Sequence, residues 1–261
     1  MGKCIAADDF EPRYRNSAQY YDMWNGWKNY GREVDSFCEL AAKILGHPLN
    51  SVLDLACGTG KHAVEFAQKG IKTTGVDLSE AMLAVANEKA QNRDLVINFL
   101  PGDIADIQLQ DQFDAAAVFF GGFMYLLTDE QVLRFLQHMD AMIVPEGFIY
   151  LELWNTQGFR LEQTKGNYTY GSVTREGDLK LIVLSTNNLE INTGIDNLSE
   201  EYYVIQGERV IANFKELHQL RTYTIPQLVS LIRQSSWKNI DAEPRWKDGV
   251  LMYHLKVILT R

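Results

Sequence analysis

The stretch Val52-Leu53-Asp54-Leu55-Ala56-Cys57-Gly58-Thr59-Gly60-Lys61-His62-Ala63 constrains this chain most. An apolar run passes through two glycines into a helical pattern. Gly58 and Gly60 permit left-handed backbone and a close approach that a Cβ would block. The first N–H groups of the following helix have no partner inside that helix, so they point at whatever occupies the turn. Strand, glycine turn and helix in this order open a βαβ unit. That unit requires a parallel sheet with helices over its faces.

The chain downstream repeats the alternation. Expected strands are Ser51–Ala56, Thr73–Val76, Leu95–Leu100, Ala115–Phe120 and Phe148–Leu153, the last entered through a turn at Pro145-Glu146-Gly147. Between them lie helix Gly60–Lys69, a helix capped by Ser79 that carries Met82, Leu83 and Ala86, and a helix opened by the capping-box pair Thr128 and Gln131. Residues 16–46 read as one helix, with Val34, Phe37, Ala41, Ile44 and Leu45 on its apolar face and Gly46 as its stop. After Trp154 the pattern changes to antiparallel strands around the turns Glu176-Gly177-Asp178 and Gln206-Gly207-Glu208. Thr224 and Gln227 open a last helix, and residues 250–259 alternate as a final strand. The expected division is an N-terminal helical cap at 1–50, a core at 51–154 and 223–261, and an antiparallel β insertion at 155–222 that roofs a pocket or contacts a second copy.

Charge and composition remove several functions. The 261 residues carry a net charge of −9, and 46% are hydrophobic, enough for a packed core. An acidic surface disfavours nucleic acid and anionic membrane as partners. The N-terminus has no apolar leader, and the apolar run Ala115–Leu127 is too short to span a bilayer, so the expected location is the cytoplasm. Cys4, Cys38 and Cys57 form no disulfide framework, and the five histidines show no metal-ligand spacing. The sequons at Asn167 and Asn197 are then incidental.

Three acids stand at strand ends. Gly58-x-Gly60-x-x-Ala63 also fits a dinucleotide fingerprint. Asp54, however, sits four residues before Gly58, where a pyrophosphate would be repelled and an ammonium group welcomed. S-adenosylmethionine carries such an ammonium and a sulfonium. Asp77 lies about 20 residues past the turn, where an acid accepts from ribose hydroxyls. Asp103 can accept from an adenine amino group, and Ile104 can pack on the ring.

Together the motifs Asp54-x-Ala56-x-Gly58-x-Gly60, Val76-Asp77-Leu78-Ser79-x-x-Met82-Leu83, Gly102-Asp103, Phe113-Asp114 and Pro145-x-Gly147 resemble the class I S-adenosylmethionine-dependent methyltransferases. The resemblance covers residues 16–155 and resumes over 223–261. It implies a Rossmann-like α/β fold: a seven-stranded, mainly parallel sheet with an antiparallel last strand, helices on both faces, and the β insertion after strand five. It implies methyl transfer to a small-molecule acceptor, with Tyr21, Tyr30, Asp54, Ala56, Gly58, Gly60, Asp77, Leu78, Met82, Asp103, Ile104 and Phe119 at the cofactor. Tyr125 is the catalytic candidate, able to orient or deprotonate the acceptor.

Tyr21-Asp22, Lys28-Asn29-Tyr30, the loop Phe119–Leu126 and Glu152-x-Trp154 resemble a narrower group, the sugar-amine N,N-dimethyltransferases. Those enzymes carry a His where this chain has Tyr125. The Asn/Asp-Pro-Pro-Tyr motif of adenine and glutamine methyltransferases is absent after strand four. Cys57 reads as a small filler, and His62 as structural or as a ligand contact. A nicotinamide-dependent oxidoreductase, a cofactor-binding sensor or partner subunit without catalysis, and a protein methyltransferase are the competing readings. Homodimer formation stays open.

Overall fold

The computed structural model describes the backbone of residues 14–156, 168–247 and 250–261. Cys4, Asn167 and the side chains of Tyr168, Leu251, Tyr253 and His254 lie outside that description. Two helices, α1 (Ala18–Trp24) and α2 (Tyr30–Leu45), precede the first strand. Then β1 (Ser51–Leu55), α3 (Lys61–Gln68), β2 (Lys72–Asp77), α4 (Glu80–Gln91), β3 (Asn98–Pro101), β4 (Phe113–Val118), α5 (Asp129–Met142) and β5 (Ile143–Trp154) alternate. A run of strands follows: β6 (Tyr168–Glu176), β7 (Leu179–Asn187), β8 (Leu189–Glu190), β9 (Ile195–Gln206) and β10 (Arg209–Arg221). Helix α6 (Ile225–Ile232) and strands β11 (Asn239–Lys247) and β12 (Val250–Thr260) complete the chain.

The main sheet has the order β11-β12-β5-β4-β1-β2-β3. Strands β1 to β5 pair in parallel, and β12 runs antiparallel between β5 and β11. The chain moves outward from β1 through β2 to β3, then returns to place β4 on the other side of β1. Loops leaving the carboxyl ends of β1 and β4 therefore diverge and leave a crevice, the usual place for a ligand in such a sheet.

Helices cover both faces, and the side-chain alternation of the strands shows it. Val52, Ala115, Ala117, Phe148 and Tyr150 pack with α2 and α3 through Phe37, Ala41 and Phe66. Leu53, Leu55, Ala116, Val118, Ile149 and Leu151 pack on the opposite face with Phe135, Met139, Leu228 and Trp237. Two covered faces explain why β4 reads as a continuous apolar run.

The N-terminal segment departs from the expected single helix. Asn25 ends α1, its side-chain amide donating to the Tyr21 carbonyl oxygen at 3.1 Å. Asn29 starts α2 by accepting from the Arg32 N–H at 2.9 Å. Two capping asparagines around Gly26 outweigh the helical periodicity. The third strand begins at Asn98 instead of Leu95, since Leu95 still closes the end of α4 through its N–H to Ala90. The expected turn at Pro145–Gly147 is also corrected. These residues lie inside β5, where the register against β4 shifts between Phe113 and Ala115. A Cβ on Gly147 would stand 2.6 Å from the Asp114 carbonyl oxygen, so only glycine lets the strands approach through this bulge.

Strands β6 to β10 form a second, antiparallel sheet of order β10-β9-β7-β6, with β8 paired to β9. Its hairpins turn at Gly177 (φ +56°) and Gly207 (φ +59°), the two turns expected. The chain leaves and re-enters the main sheet side by side, with the Thr156 N–H donating to the Tyr223 carbonyl oxygen. Helix α1 lies on the inner face of this sheet: Tyr20, Met23 and Trp24 pack against Leu181, Val183, Tyr202 and Val204. The Trp24 indole N–H donates to the Ser172 hydroxyl at 2.9 Å.

Gly60 shows how tightly the first βα turn is built. Its φ is +70°, and a Cβ there would lie 2.8 Å from Phe99 and 2.9 Å from Ala86. Gly60→Ala is expected to cost about 2–4 kcal/mol, from overpacking plus left-handed strain. Gly70→Ala, at φ +77° with open space around the added carbon, is expected to cost only roughly 1 kcal/mol. Urea denaturation midpoints of the two variants check the difference; equal shifts would contradict it.

Candidate active site

A cavity of about 810 Å³ opens at the carboxyl ends of β1, β2 and β4. Ala56, Cys57, Gly58 and Thr59 supply the wall after β1, and Asp77, Leu78 and Ser79 the wall after β2. Gly102, Asp103 and Ile104 follow β3, while Phe119, Phe120, Gly122 and Tyr125 follow β4. Met82 on α4 and Tyr14, Tyr21 and Tyr30 from the N-terminal segment close the remainder. The cavity thus gathers eleven of the thirteen expected site residues, counting Tyr21, Tyr30, Ala56, Gly58, Asp77, Leu78, Met82, Asp103, Ile104, Phe119 and Tyr125. Asp54, on β1, and Gly60, at the far end of the glycine turn, do not line the wall.

The turn itself is unusual backbone. Ala56, Gly58 and Gly60 all have positive φ, at +52°, +55° and +70°. The Asp77 carboxylate fastens it, one oxygen accepting from the Gly58 N–H at 2.7 Å and the other from the Ser79 N–H at 2.8 Å. Burial pushes this carboxyl up, against the pull of those backbone donors. A Cβ on Gly58 would meet no atom within 4 Å, so the turn presents bare backbone to open cavity.

Asp54 is 1% exposed, and its Oδ2 has no hydrogen-bond partner among the described residues. Burial, then the nearby Asp77 charge, pushes its carboxyl up to about 8, against one donor, the Ala63 N–H. Cys57 is buried, and burial with the Asp54 and Asp77 charges holds its thiol well above its ordinary range. That thiol stays neutral and fits the filler role. Asp103 accepts from the Ala105 N–H at 2.8 Å, fixing the turn that sets Ile104 against the cavity.

Helices α1 and α2 are latched over the turn by charge. Asp22 accepts from the Thr59 hydroxyl at 2.6 Å and pairs with Lys89 at 2.7 Å. Lys89 in turn donates to the Thr59 carbonyl oxygen at 2.6 Å. His62 is buried with its ring stacked on Phe119, centroids 4.0 Å apart, and its Nε2 lies 2.8 Å from Glu33. Burial lowers the His62 pKa against the opposing pull of Glu33. Lys28 completes the group at 2.5 Å from Glu33 and stands over the Phe120 ring.

The loop after β4 is held from β5. Glu152 accepts from the Phe120 N–H at 3.1 Å and from the Tyr150 hydroxyl at 2.9 Å. Phe120 and Gly121 take positive φ, +52° and +80°, and carry the chain into a short 3₁₀ turn at Gly122–Tyr125. Strain of this kind is held in place by its surroundings. The Tyr125 hydroxyl lies 2.7 Å from that of Tyr14 and 3.0 Å from His218 Nδ1.

Sequence reasoning missed Tyr14, His218 and the acids beside it. A signal was present. Along β9 and β10 the alternate residues that face inward include Glu200, Tyr202, Glu216 and His218. Ionisable groups on the buried phase of a strand mark a polar site.

Among the described residues no three or more His, Cys, Asp or Glu are grouped to hold a metal ion, and no helix is long and apolar enough to cross a membrane. Residues 52–147 match the methyltransferase domain family. The chain is 29% identical over 215 residues to the dTDP-3-amino-3,6-dideoxy-alpha-D-glucopyranose N,N-dimethyltransferase of Streptomyces fradiae, covering 80% of this chain and 79% of that one. Among solved structures it resembles an S-adenosylmethionine-dependent methyltransferase from Clostridium acetobutylicum ATCC 824, with TM-score 0.79, 19% identity and coverage of 95% and 98% of the two chains. It resembles Streptomyces venezuelae DesVI at TM-score 0.78 and 19% identity, covering 96% and 99%. A glycine turn fastened by Asp77, a crevice at the strand ends and a match to the methyltransferase domain family over that same region identify residues 52–147 as a methyltransferase domain, on a fold shared with the S-adenosylmethionine-dependent methyltransferase of known structure.

Proposed function

We propose that this enzyme methylates the amine of a small metabolite, with a nucleotide-linked amino sugar as the acceptor class. The observation that carries the proposal is the wall of the cavity where the phenols of Tyr14, Tyr21 and Tyr125 come together. Burial holds the phenols of Tyr14 and Tyr21 well above their ordinary range, so they remain neutral donors and acceptors. Such a wall suits a nucleophile that must be oriented and shielded from water. The Streptomyces fradiae relative, named for an amino-sugar substrate, supports the acceptor class.

The residues present fit the cofactor. The bare backbone at Gly58 leaves room for it, and the unpaired Asp54 oxygen behind the turn would supply, on giving up its proton, the negative charge that an ammonium pairs with. Asp77 would hold ribose hydroxyls with the lone pairs not used by Gly58 and Ser79, beside Leu78. Asp103 and Ile104 would take the adenine edge and face, and Met82 would pack beside them. Tyr21 and Tyr30 would cover the methionyl end, with Ala56, Gly58 and Gly60 forming the turn beneath it and Phe119 alongside. Bound there, S-adenosylmethionine supplies a methyl group already activated by its sulfonium. Residues 1–50 would act as a cap, 51–154 with 223–261 as the catalytic core, and 155–222 as the roof. Small-molecule chemistry of this kind suits a cytoplasmic enzyme.

Incubation with methyl-labelled S-adenosylmethionine tests the acceptor. The probes are a dTDP-linked 3-amino sugar, glycine, a simple phenol and a protein extract fractionated by size. Label is expected on the sugar nitrogen; label only on the phenol or on protein-sized material would overturn the amine reading. Asp77→Ala is expected to weaken S-adenosylhomocysteine binding at least tenfold by calorimetry, and unchanged affinity would contradict its role.

Asp54 gives a prediction in pH. An unfolded aspartate titrates near 3.9, whereas the folded one is raised to about 8. Below pH 4 both states hold the proton and the residue costs nothing. Between pH 4 and 8 the unfolded chain releases its proton while the folded chain keeps it, so this contribution to stability is progressively lost as pH rises. Ligand-free Asp54→Asn should therefore melt at a higher temperature than the parent at pH 8, with the gap closing toward pH 4. A gap independent of pH would contradict the assignment.

A further inference from the structure

His218 belongs to the insertion, yet it touches the site from behind. It stands on β10, 2% exposed, and does not line the cavity. Its Nδ1 lies 3.0 Å from the Tyr125 hydroxyl, and Tyr125 lies 2.7 Å from Tyr14; both phenols do line the cavity. The Tyr14 and His218 rings are 4.8 Å apart, centroid to centroid. On the far side of the ring, Nε2 has no hydrogen-bond partner among the described residues. It faces Glu200 at 3.6 Å and Glu216 at 3.9 Å, both side chains buried.

Hydroxyl and amide donors surround those acids. Glu216 accepts from the Ser17 N–H at 3.2 Å and the Ser17 hydroxyl at 2.7 Å. Glu200 accepts from the Tyr202 hydroxyl at 2.7 Å and the Ser185 hydroxyl at 3.4 Å. Burial raises the Glu216 carboxyl pKa against the pull of the Ser17 donors and of the facing His218, and the hydroxyl donors turned on both groups are those that carboxylate oxygens accept. A bare Nε2 lone pair would be repelled by two carboxylates, so the neutral ring carries its proton on Nε2 and presents Nδ1 as an acceptor to Tyr125. The site therefore has an acceptor nitrogen pointing toward the cavity and two negative charges behind it, in a buried setting where charge separation is felt strongly.

The geometry points to His218 as the residue that takes the proton of the acceptor amine, acting through the Tyr14–Tyr125 phenol pair and stabilised by Glu200 and Glu216. This rests on the amine reading above. The acceptor enters as an ammonium, the ordinary form of an alkyl amine near neutral pH. One N–H bond breaks and its electron pair stays on nitrogen as the lone pair that the methyl transfer requires. The proton goes to a phenol oxygen, and the phenols pass a proton on to His218 Nδ1. Both tyrosines end neutral, and the imidazole becomes an imidazolium facing Glu200 and Glu216. Product release then returns that proton to solvent. His218 is a positioning residue in this scheme, since it reaches the acceptor only through Tyr125.

Two measurements test this in the full-length protein. The first is nitrogen NMR of ¹⁵N-histidine-labelled protein saturated with S-adenosylhomocysteine. At pH 8 His218 is expected to show an unprotonated Nδ1 and a protonated Nε2, and Tyr125→Phe is expected to shift the Nδ1 signal. A protonated Nδ1 would overturn the proposal. The second is the pH profile of kcat with the dTDP-linked amino sugar. His218→Asn keeps an oxygen able to accept from Tyr125 but cannot take a proton. It is expected to lower kcat about 100-fold, to leave S-adenosylhomocysteine affinity unchanged, and to abolish the rise of kcat from acid to neutral pH. Wild-type kcat and profile in that variant would overturn the proposal, as would a loss confined to KM or to melting temperature. If the wild type fails to methylate the amine, the acceptor reading falls, and the NMR measurement still decides the tautomer on which the relay depends.

Discussion

The site depends on one carboxylate bridging two loops. Asp77 ends β2, and its two oxygens hold the N–H groups of Gly58 and Ser79, at 2.7 and 2.8 Å. The turn after β1 and the start of α4 are thereby tied to one strand end. Ala56 is the one residue of that turn at positive φ without being a glycine, and this bridge is one of the contacts that hold the turn around it. Asp54 lies just behind, buried and half-satisfied, so the turn is backed by a carboxyl that the folded protein keeps protonated until about pH 8.

The rest of the chain converges on that turn from three directions. Helices α1 and α2 are latched from above by Asp22 on Thr59 and Lys89, and by Glu33 on His62 and Lys28. The loop after β4 is pinned from β5 by Glu152, which frees its aromatic residues to face the cavity. The antiparallel insertion seats on α1 and delivers His218 beneath Tyr125. The insertion is therefore coupled to the site through a hydrogen bond as well as through packing.

Local chemistry made much of this legible in the sequence. The succession of strands and helices in the parallel half followed from apolar runs separated by helix caps, and the capping boxes at Thr128 and Thr224 form as their spacing implies. The glycine turn and the acids after β2 and β3 were readable because each sits at a fixed offset from a strand end. Residues that act across long separations were not readable. The break between α1 and α2 depends on asparagine caps competing with periodicity, and the Pro145–Gly147 bulge depends on a close approach to Asp114. Tyr14 and His218 are joined to Tyr125 across 111 and 93 residues, a convergence that no spacing rule reports.

The central claim is that Asp54, buried behind the glycine turn, meets the ammonium of the cofactor. Calorimetric titration with S-adenosylhomocysteine at pH 7, repeated in buffers of different ionisation enthalpy, measures the protons exchanged on binding. Asp54, raised to about 8, holds its proton in the free protein and should surrender it to face the ligand's ammonium. Release of close to one proton per ligand is the result the account predicts, falling toward zero in Asp54→Asn. Tight binding with no proton release, unchanged by that substitution, would contradict it.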